Sequence, residues 1–385
     1  MASIRAEPAK TPSKKFPPGR EIPTIGIVGT AKNTGKTTTI IHLLHRGYLK
    51  KKSFGLVGIG YDGEDVDTVT SLPKPRIWAP QGTWVATSKD CLAESTARFR
   101  IIAGTGIHTA LGQVFIAKVI NPGHVVVAGP NQSTGIRSVI ERFKEHALDL
   151  ILIDGSFNRF IPLMEADGVV LSTGAARSIH PAVIAQEMKA IYQVFSLEQA
   201  PAVLGSAPDS DQISLVTKDS AVRRITLNSV QDSYDAGFLA SFLVDDIRHI
   251  IIPGVVNFCP LAEMLLKSAP RFKGKSFVFW DPGHVLVGGK VEDFLTFQRL
   301  LGDLGSDLRV FRRVSLIAVA VSSFYPGREP RTRNYVSLHI EKVGLREAVR
   351  AVVPIPVFDL SEAESEAELF DLVARDFPGL QSDSK

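Results

Sequence analysis

Short apolar runs alternate with stretches of helical period along most of the chain. Ile25–Val28, Phe54–Gly60, Leu148–Ile153 and Asp167–Leu171 are runs of strand length. Thr134–His146 and Ala182–Phe195 instead space their apolar residues three and four apart, which predicts amphipathic helices. Strands that are apolar on both faces are covered on both faces, so the pattern predicts an α/β fold with a parallel sheet between helices. Such a sheet offers its ligand site at the carboxyl ends of the strands.

Between about residues 63 and 129 the texture changes to short alternating runs broken by Pro and Gly: Trp84–Thr87, Arg100–Ala103, Val114–Val119 and Val125–Val127. This region reads as a β-rich insertion. Beyond Pro201 the alternation restarts, with strands predicted at Ala202–Gly205, Ile250–Val256, Ser276–Trp280, Ser315–Val321 and Pro356–Leu360. Helices are predicted near Pro260–Ser268, Val291–Leu304 and Leu345–Val352, and a terminal helix from the acidic run Ser361–Glu368. The expected organisation is a disordered tail over residues 1–20, a first α/β domain over 21–200, and a second, smaller α/β domain over 201–385.

Composition narrows the function classes. A chain of 385 residues suits two or three domains. With 44 Lys and Arg against 40 Asp and Glu, the balance is not that of a nucleic-acid-binding protein. The two cysteines, Cys91 and Cys259, match no zinc or disulfide spacing, which points to a reducing cytoplasm. The longest uncharged apolar stretches, Ala236–Val244 and Val314–Phe324, are about half of what a bilayer helix needs, so no membrane association is expected. The first twenty residues lack the apolar core of a secretory signal.

The strongest chemical signal is the run from Ile25 to Thr39, IGIVGTAKNTGKTTT. An apolar strand enters a small polar turn, and Gly35-Lys36-Thr37-Thr38 opens a helix. Backbone N–H groups of such a turn point inward and cradle phosphate oxygens. Asn33, Thr34, Gly35, Lys36, Thr37 and Thr38 are the expected nucleotide-binding residues, with Lys36 as a point charge on the phosphates and the Thr37 hydroxyl on Mg²⁺. The first glycine of the common G-x-x-x-x-G-K-[ST] pattern falls at Thr30, with Gly29 one residue early, which leaves the tightness of the turn open.

Acidic partners are needed for hydrolysis. Leu150–Ile153 runs into Asp154-Gly155, an apolar strand ending in a carboxylate that would hold the water shell of Mg²⁺. Four carboxylates, Asp62, Glu64, Asp65 and Asp67, follow Phe54–Gly60 within six residues. Asp62 is the candidate for positioning water and, with Glu64, for the metal shell; a solvated acidic loop is the competing reading. The expected catalytic set is Lys36, Asp62 and Asp154, and the metal set Thr37, Asp62, Glu64 and Asp154. Lys74 and Arg76 could neutralise phosphate charge or simply sit on a loop made rigid by Pro73 and Pro75, and in Asn158-Arg159 the arginine could reach the γ-phosphate or a partner. Gly129–Thr134 could face the same crevice, although Ser133 or Thr134 would suffice as a helix cap. Ser172–Ala176 is a small-residue loop that lets a ligand approach. His42 and His45 read as packed residues of the helix behind the turn.

The turn resembles that of P-loop NTPases in the class of dethiobiotin synthetase, the cobyrinate amidating enzymes and the molybdopterin-guanine dinucleotide accessory protein. GIGYDGE at Gly58–Glu64, LPKP at Leu72–Pro75, TALGQV at Thr109–Val114, AGP at Ala128–Pro130, IDGSFNR at Ile153–Arg159 and ADGVVLSTGA at Ala166–Ala175 extend the likeness. Together they resemble the P-loop subunit family of the lysine 5,6-aminomutase reactivating system, over about residues 22–176. The resemblance implies an ATP- and Mg²⁺-dependent ATPase that exchanges damaged cofactor in an adenosylcobalamin-dependent aminomutase. It also implies a second reactivase subunit, and homodimerisation is compatible with it. An ATP-dependent ligase or kinase of cofactor biosynthesis is the alternative, using Lys32, Lys74 and Arg159 near the γ-phosphate, and a scaffold that binds nucleotide without turnover is a third. ATP is favoured over GTP by the resemblance alone, because Thr217-Lys218-Asp219 lacks the spacer of a guanine-reading motif.

Overall fold

The first sheet opens with strand β1 (Thr24–Gly29), which leads into helix α1 (Lys36–Leu49) and strand β2 (Phe54–Gly58). The computed structural model describes residues 22–60, 76–156, 164–205, 211–328 and 335–377. Among them β3 (Ile77–Ala79), β4 (Trp84–Ser88), α2 (Lys89–Glu94), β5 (Arg98–Thr109), β6 (Gly112–Asn121) and β7 (Gly123–Val125) follow. Next come α3 (Ser133–Lys144), β8 (Leu150–Ser156), β9 (Gly168–Gly174) and α4 (Pro181–Phe195).

Contacts divide the chain into two units, one running to Ile184 and resuming at Leu316, the other Ala185–Ser315. In the second unit lie β10 (Glu198–Gln199), β11 (Ser214–Thr217), β12 (Val222–Arg224), α5 (Ser233–Ser241) and β13 (Ile247–Ile252). They are followed by α6 (Phe258–Lys267), α7 (Ala269–Phe272), β14 (Ser276–Phe279), α8 (Pro282–Leu286), α9 (Val291–Gly302) and β15 (Asp307–Val310). The chain then returns through β16 (Ser315–Ser322), β17 (Phe324–Arg328), β18 (Tyr335–His339), α10 (Lys342–Arg350), β19 (Val357–Asp359) and α11 (Ala363–Asp376).

The first unit is built on a nine-stranded sheet in the order β19-β16-β9-β1-β8-β2-β4-β6-β5. β1 pairs in parallel with β8 and β9, β2 with β8 and β4, and β16 with β19. β1, β2 and β9 are buried along their whole length, which is why they read as continuous apolar runs. On α1, Ile40, Leu43 and Leu44 recur at helical spacing and enter the same core as Ile25, Ile27 and Leu152. Leu369, Phe370 and Val373 of α11 close that core, with Phe370 stacked on Phe54 at 6.3 Å between ring centroids.

This return of the chain corrects the expected division at residue 200. The C-terminal segment does not complete a second domain: β16 enters the first sheet beside β9, β19 pairs with β16, and α11 packs in the core with α1. In the β-rich region expected over residues 63–129, of which residues 76–129 are described, β4 pairs in parallel with β2 and carries the antiparallel pair β6 and β5 into the same sheet, while β3 and β7 pair in a two-stranded sheet of their own.

The second unit has a six-stranded sheet, β10-β15-β14-β13-β11-β12, with β10, β15, β14 and β13 mutually parallel and β11 antiparallel to both of its neighbours. Its core is aromatic, Phe258 lying 5.4 Å from Phe294 and 5.7 Å from Phe279. The strand expected at Ala202–Gly205 is instead a single 3₁₀ turn. Its residues are exposed or half-exposed and bond locally, Leu204 N–H to Pro201 O and Gly205 N–H to Ala202 O. Among the described residues no helix is long and apolar enough to cross a membrane.

Three imidazoles tie stability to pH. Burial pushes His42, His146 and His249 below the ordinary value of 6.5. The unfolded chain therefore binds more protons once the pH falls below about 6.5, and stability declines from there toward acid. Urea midpoints at pH 7.5 and 5.5 are expected to fall on acidification, and less so in the triple His→Gln variant. Equal slopes in the two proteins would refute the assignment.

Candidate functional site

The turn between β1 and α1 is shaped by its own sequence. Gly35 sits at φ 94° and Asn33 at φ 64°, both left-handed. Glycine enters that region freely, and asparagine is among the few side chains that tolerate it. Thr30 is not left-handed, so position 30 requires no glycine and the departure noted in the sequence leaves the turn intact. Besides Gly35, the turn is tight at Gly29, where a Cβ would lie 2.8 Å from Thr34 Oγ1 and 3.1 Å from Ala31 O. The Thr34 hydroxyl closes the turn by donating to Ala31 O at 2.9 Å.

α1 begins immediately after Gly35, with no acidic residue in its first turn and no side-chain cap. Its leading N–H groups and the positive end of its dipole are thus turned to the loop without a neighbouring carboxylate on the helix. Lys36, Thr37 and Thr38 are partly buried in that first turn, while Lys32 is exposed.

Asp154 reaches the same place from β8. It stands opposite Ile27 of β1 on one side and Gly58 of β2 on the other, at the carboxyl ends of all three strands. Lys36 Nζ lies 2.5 Å from Asp154 Oδ1, with both side chains more than four-fifths buried. The contact is an ion pair by distance, although its angles do not make a hydrogen bond. It joins the end of the turn to the end of the neighbouring strand.

β9 flanks β1 on the other side. Ser172, Thr173 and Gly174 at its end are fully buried, and Thr30 N–H donates to Ser172 O at 2.9 Å. Beyond it, Ser322 at the end of β16 accepts from Ala175 N–H at 2.9 Å, and its Cβ lies 3.5 Å from where a Cβ on Gly35 would stand. Ser322 and Ser323 did not stand out in the sequence. The one signal was a pair of small hydroxyl residues after a buried strand, as at Ser172-Thr173.

The structure therefore brings together Asn33, Thr34, Gly35, Lys36, Thr37, Thr38 and Asp154 of the expected set. Asp62 and Glu64 lie outside the described residues, as do Lys74, Asn158 and Arg159. Gly129 and Pro130 do meet the rim: Gly129 N–H donates to Gly60 O at 3.0 Å and Gly60 N–H to Pro130 O at 3.2 Å. The cap expected at Ser133 or Thr134 is corrected, because α3 already starts at Ser133 and Gln132 precedes it without a side-chain cap bond. His45 is exposed rather than packed, with Nδ1 2.6 Å from Glu366 Oε1 of α11. Among the described residues no three His, Cys, Asp or Glu side chains group to hold a metal. No family model, curated protein or solved structure matches the chain.

Proposed function

We propose that the Gly29–Thr38 turn binds the phosphates of a nucleoside triphosphate, ATP, and that the protein is a Mg²⁺-dependent ATPase. The observation that carries this reading is the Lys36–Asp154 ion pair at the carboxyl rim of the parallel strands. A buried ammonium and a carboxylate at a helix start and a strand end supply the two charges a phosphate–magnesium group requires. Lys36 would leave Asp154 for the phosphate oxygens, and the inward N–H groups of the turn would hold the rest of the phosphate charge.

The Thr37 hydroxyl and Asp154 carboxylate are oxygen donors, the ligand type magnesium takes, and suit an ion that keeps several waters and phosphate oxygens. When bound, that ion would neutralise charge developing on the phosphates. In this reading Asp62 and Glu64 complete the metal shell and position water.

The narrower proposal is a reactivating factor for an adenosylcobalamin-dependent lysine 5,6-aminomutase, supported by the motif resemblance over residues 22–176. The test is calorimetry with ATP–Mg²⁺ and GTP–Mg²⁺, followed by phosphate release with and without the aminomutase. Saturable ATP binding and turnover raised by the aminomutase are expected. Turnover indifferent to it would leave an ATPase and remove the reactivase, and no nucleotide binding would remove both.

A further inference from the structure

Four hydroxyls lie behind the turn, on the side of β1 away from Asp154. Thr30 Oγ1 donates to Thr173 Oγ1 at 3.0 Å, and Thr39 Oγ1 lies 3.1 Å from Ser172 Oγ. Thr39 Oγ1 also donates to Gly35 O at 3.1 Å. A hydroxyl has one proton, so Thr39 must accept from Ser172. Thr39, Ser172 and Thr173 are 0 % exposed and Thr30 is 9 % exposed.

We infer that Thr30, Thr39, Ser172 and Thr173 are positioning residues that hold the phosphate turn in its binding shape before any ligand arrives. The inference rests on the reading of that turn as a phosphate site. A buried hydroxyl is costly unless it is bonded, and valine would fill the space of a buried threonine without that cost. What the hydroxyls add over apolar packing is direction. Each pair ties one point of the turn to the end of β9: Thr30 at its entry, and Gly35 through Thr39 at its exit.

The two sides of the turn then differ in kind. The Lys36–Asp154 pair must open when phosphate binds, whereas the hydroxyl pairs carry no charge that a ligand would compete for. The brace is itself backed, because Ala175 N–H is bonded to Ser322 O and fixes the end of β9 against β16. A turn fixed in this way has less ordering to do on binding, and affinity rises accordingly.

The experiment compares wild type, Thr39→Val, Thr173→Val and the conservative Thr39→Ser. ATP–Mg²⁺ affinity is read by calorimetry, and amide hydrogen exchange of residues 29–36 is read without nucleotide. Each valine variant is expected to bind about five- to twenty-fold more weakly, as the loss of one or two neutral hydrogen bonds implies. Exchange in the turn should quicken several-fold while that in β8 stays as it was, and Thr39→Ser should restore both readings. Unchanged affinity and unchanged exchange in both valine variants would overturn the brace. If wild type binds no ATP, the phosphate reading fails by itself, and exchange of the empty turn still decides whether the hydroxyls hold it. If a valine variant does not fold, Ser172→Ala gives the same comparison at the partner side.

Discussion

Lys36→Ala is expected to weaken ATP–Mg²⁺ binding by about 30- to 150-fold, the loss of a charge-assisted contact worth roughly 2–3 kcal/mol. The ammonium is the cation that the first turn of α1 places at the end of the loop, and in the structure it rests on Asp154. Its removal acts twice. The phosphates lose their point charge, and Asp154, whose side chain is only 13 % exposed, stands without its counter-ion beside incoming anions. Lys36→Arg is not expected to restore the wild-type affinity, because a planar fork replaces a compact ammonium in a loop closed around the smaller group. Calorimetry of the three proteins in one buffer makes the comparison. An affinity for ATP in Lys36→Ala within threefold of wild type would remove the nucleotide reading and the ATPase with it.

Most of what forms this rim was legible in the chain. β1, β8 and β9 are apolar runs because they are covered on both faces, and Asp154 announced itself as a carboxylate at the end of one. Three features were hidden, each for a physical reason. The pattern of glycines suggested a weak turn at Thr30, but backbone angles decide which positions need glycine, and these are left-handed at 33 and 35. Ser315–Val321 was readable as a strand, yet periodicity does not say which sheet a strand joins, so the return of β16 to β9 could not be seen. Ser322 and the buried hydroxyls carry no charge and sit where small residues are common, so only their distances show them acting together.

α5 was missed for a different reason. Ala236, Leu239 and Ala240 are buried while Tyr234 and Phe242 are exposed, so apolar residues surround the helix and no period stands out. The 3₁₀ turn at Ala202–Leu204 shows the opposite error. A short apolar run after Pro201 looked like a strand, but Val203 is 72 % exposed and has no sheet to cover it.

Gly174→Ala is the second large effect, and it tests the rim from the side of the backbone. A Cβ at position 174 would stand 2.0 Å from Ser322 O and 2.9 Å from the carbon and nitrogen of the same residue. Nothing there is the far end of a flexible side chain that could turn aside. Either β16 moves away from β9 or the end of β9 is displaced, and the Ala175 N–H bond to Ser322 O is lost in both cases. Overpacking of this kind costs about 3 kcal/mol, a fall in thermal midpoint of roughly 6–12 °C at the size of this unit. ATP affinity should fall with it, because Ser172 and Thr173 precede the displaced residue and hold Thr39 and Thr30. The two readings separate the possible causes. A lowered midpoint with wild-type affinity would mean that β16 yields while β9 and the turn keep their shape, so the brace would not depend on Ser322. A midpoint and affinity both equal to wild type would mean that the ends of β9 and β16 do not approach this closely in solution.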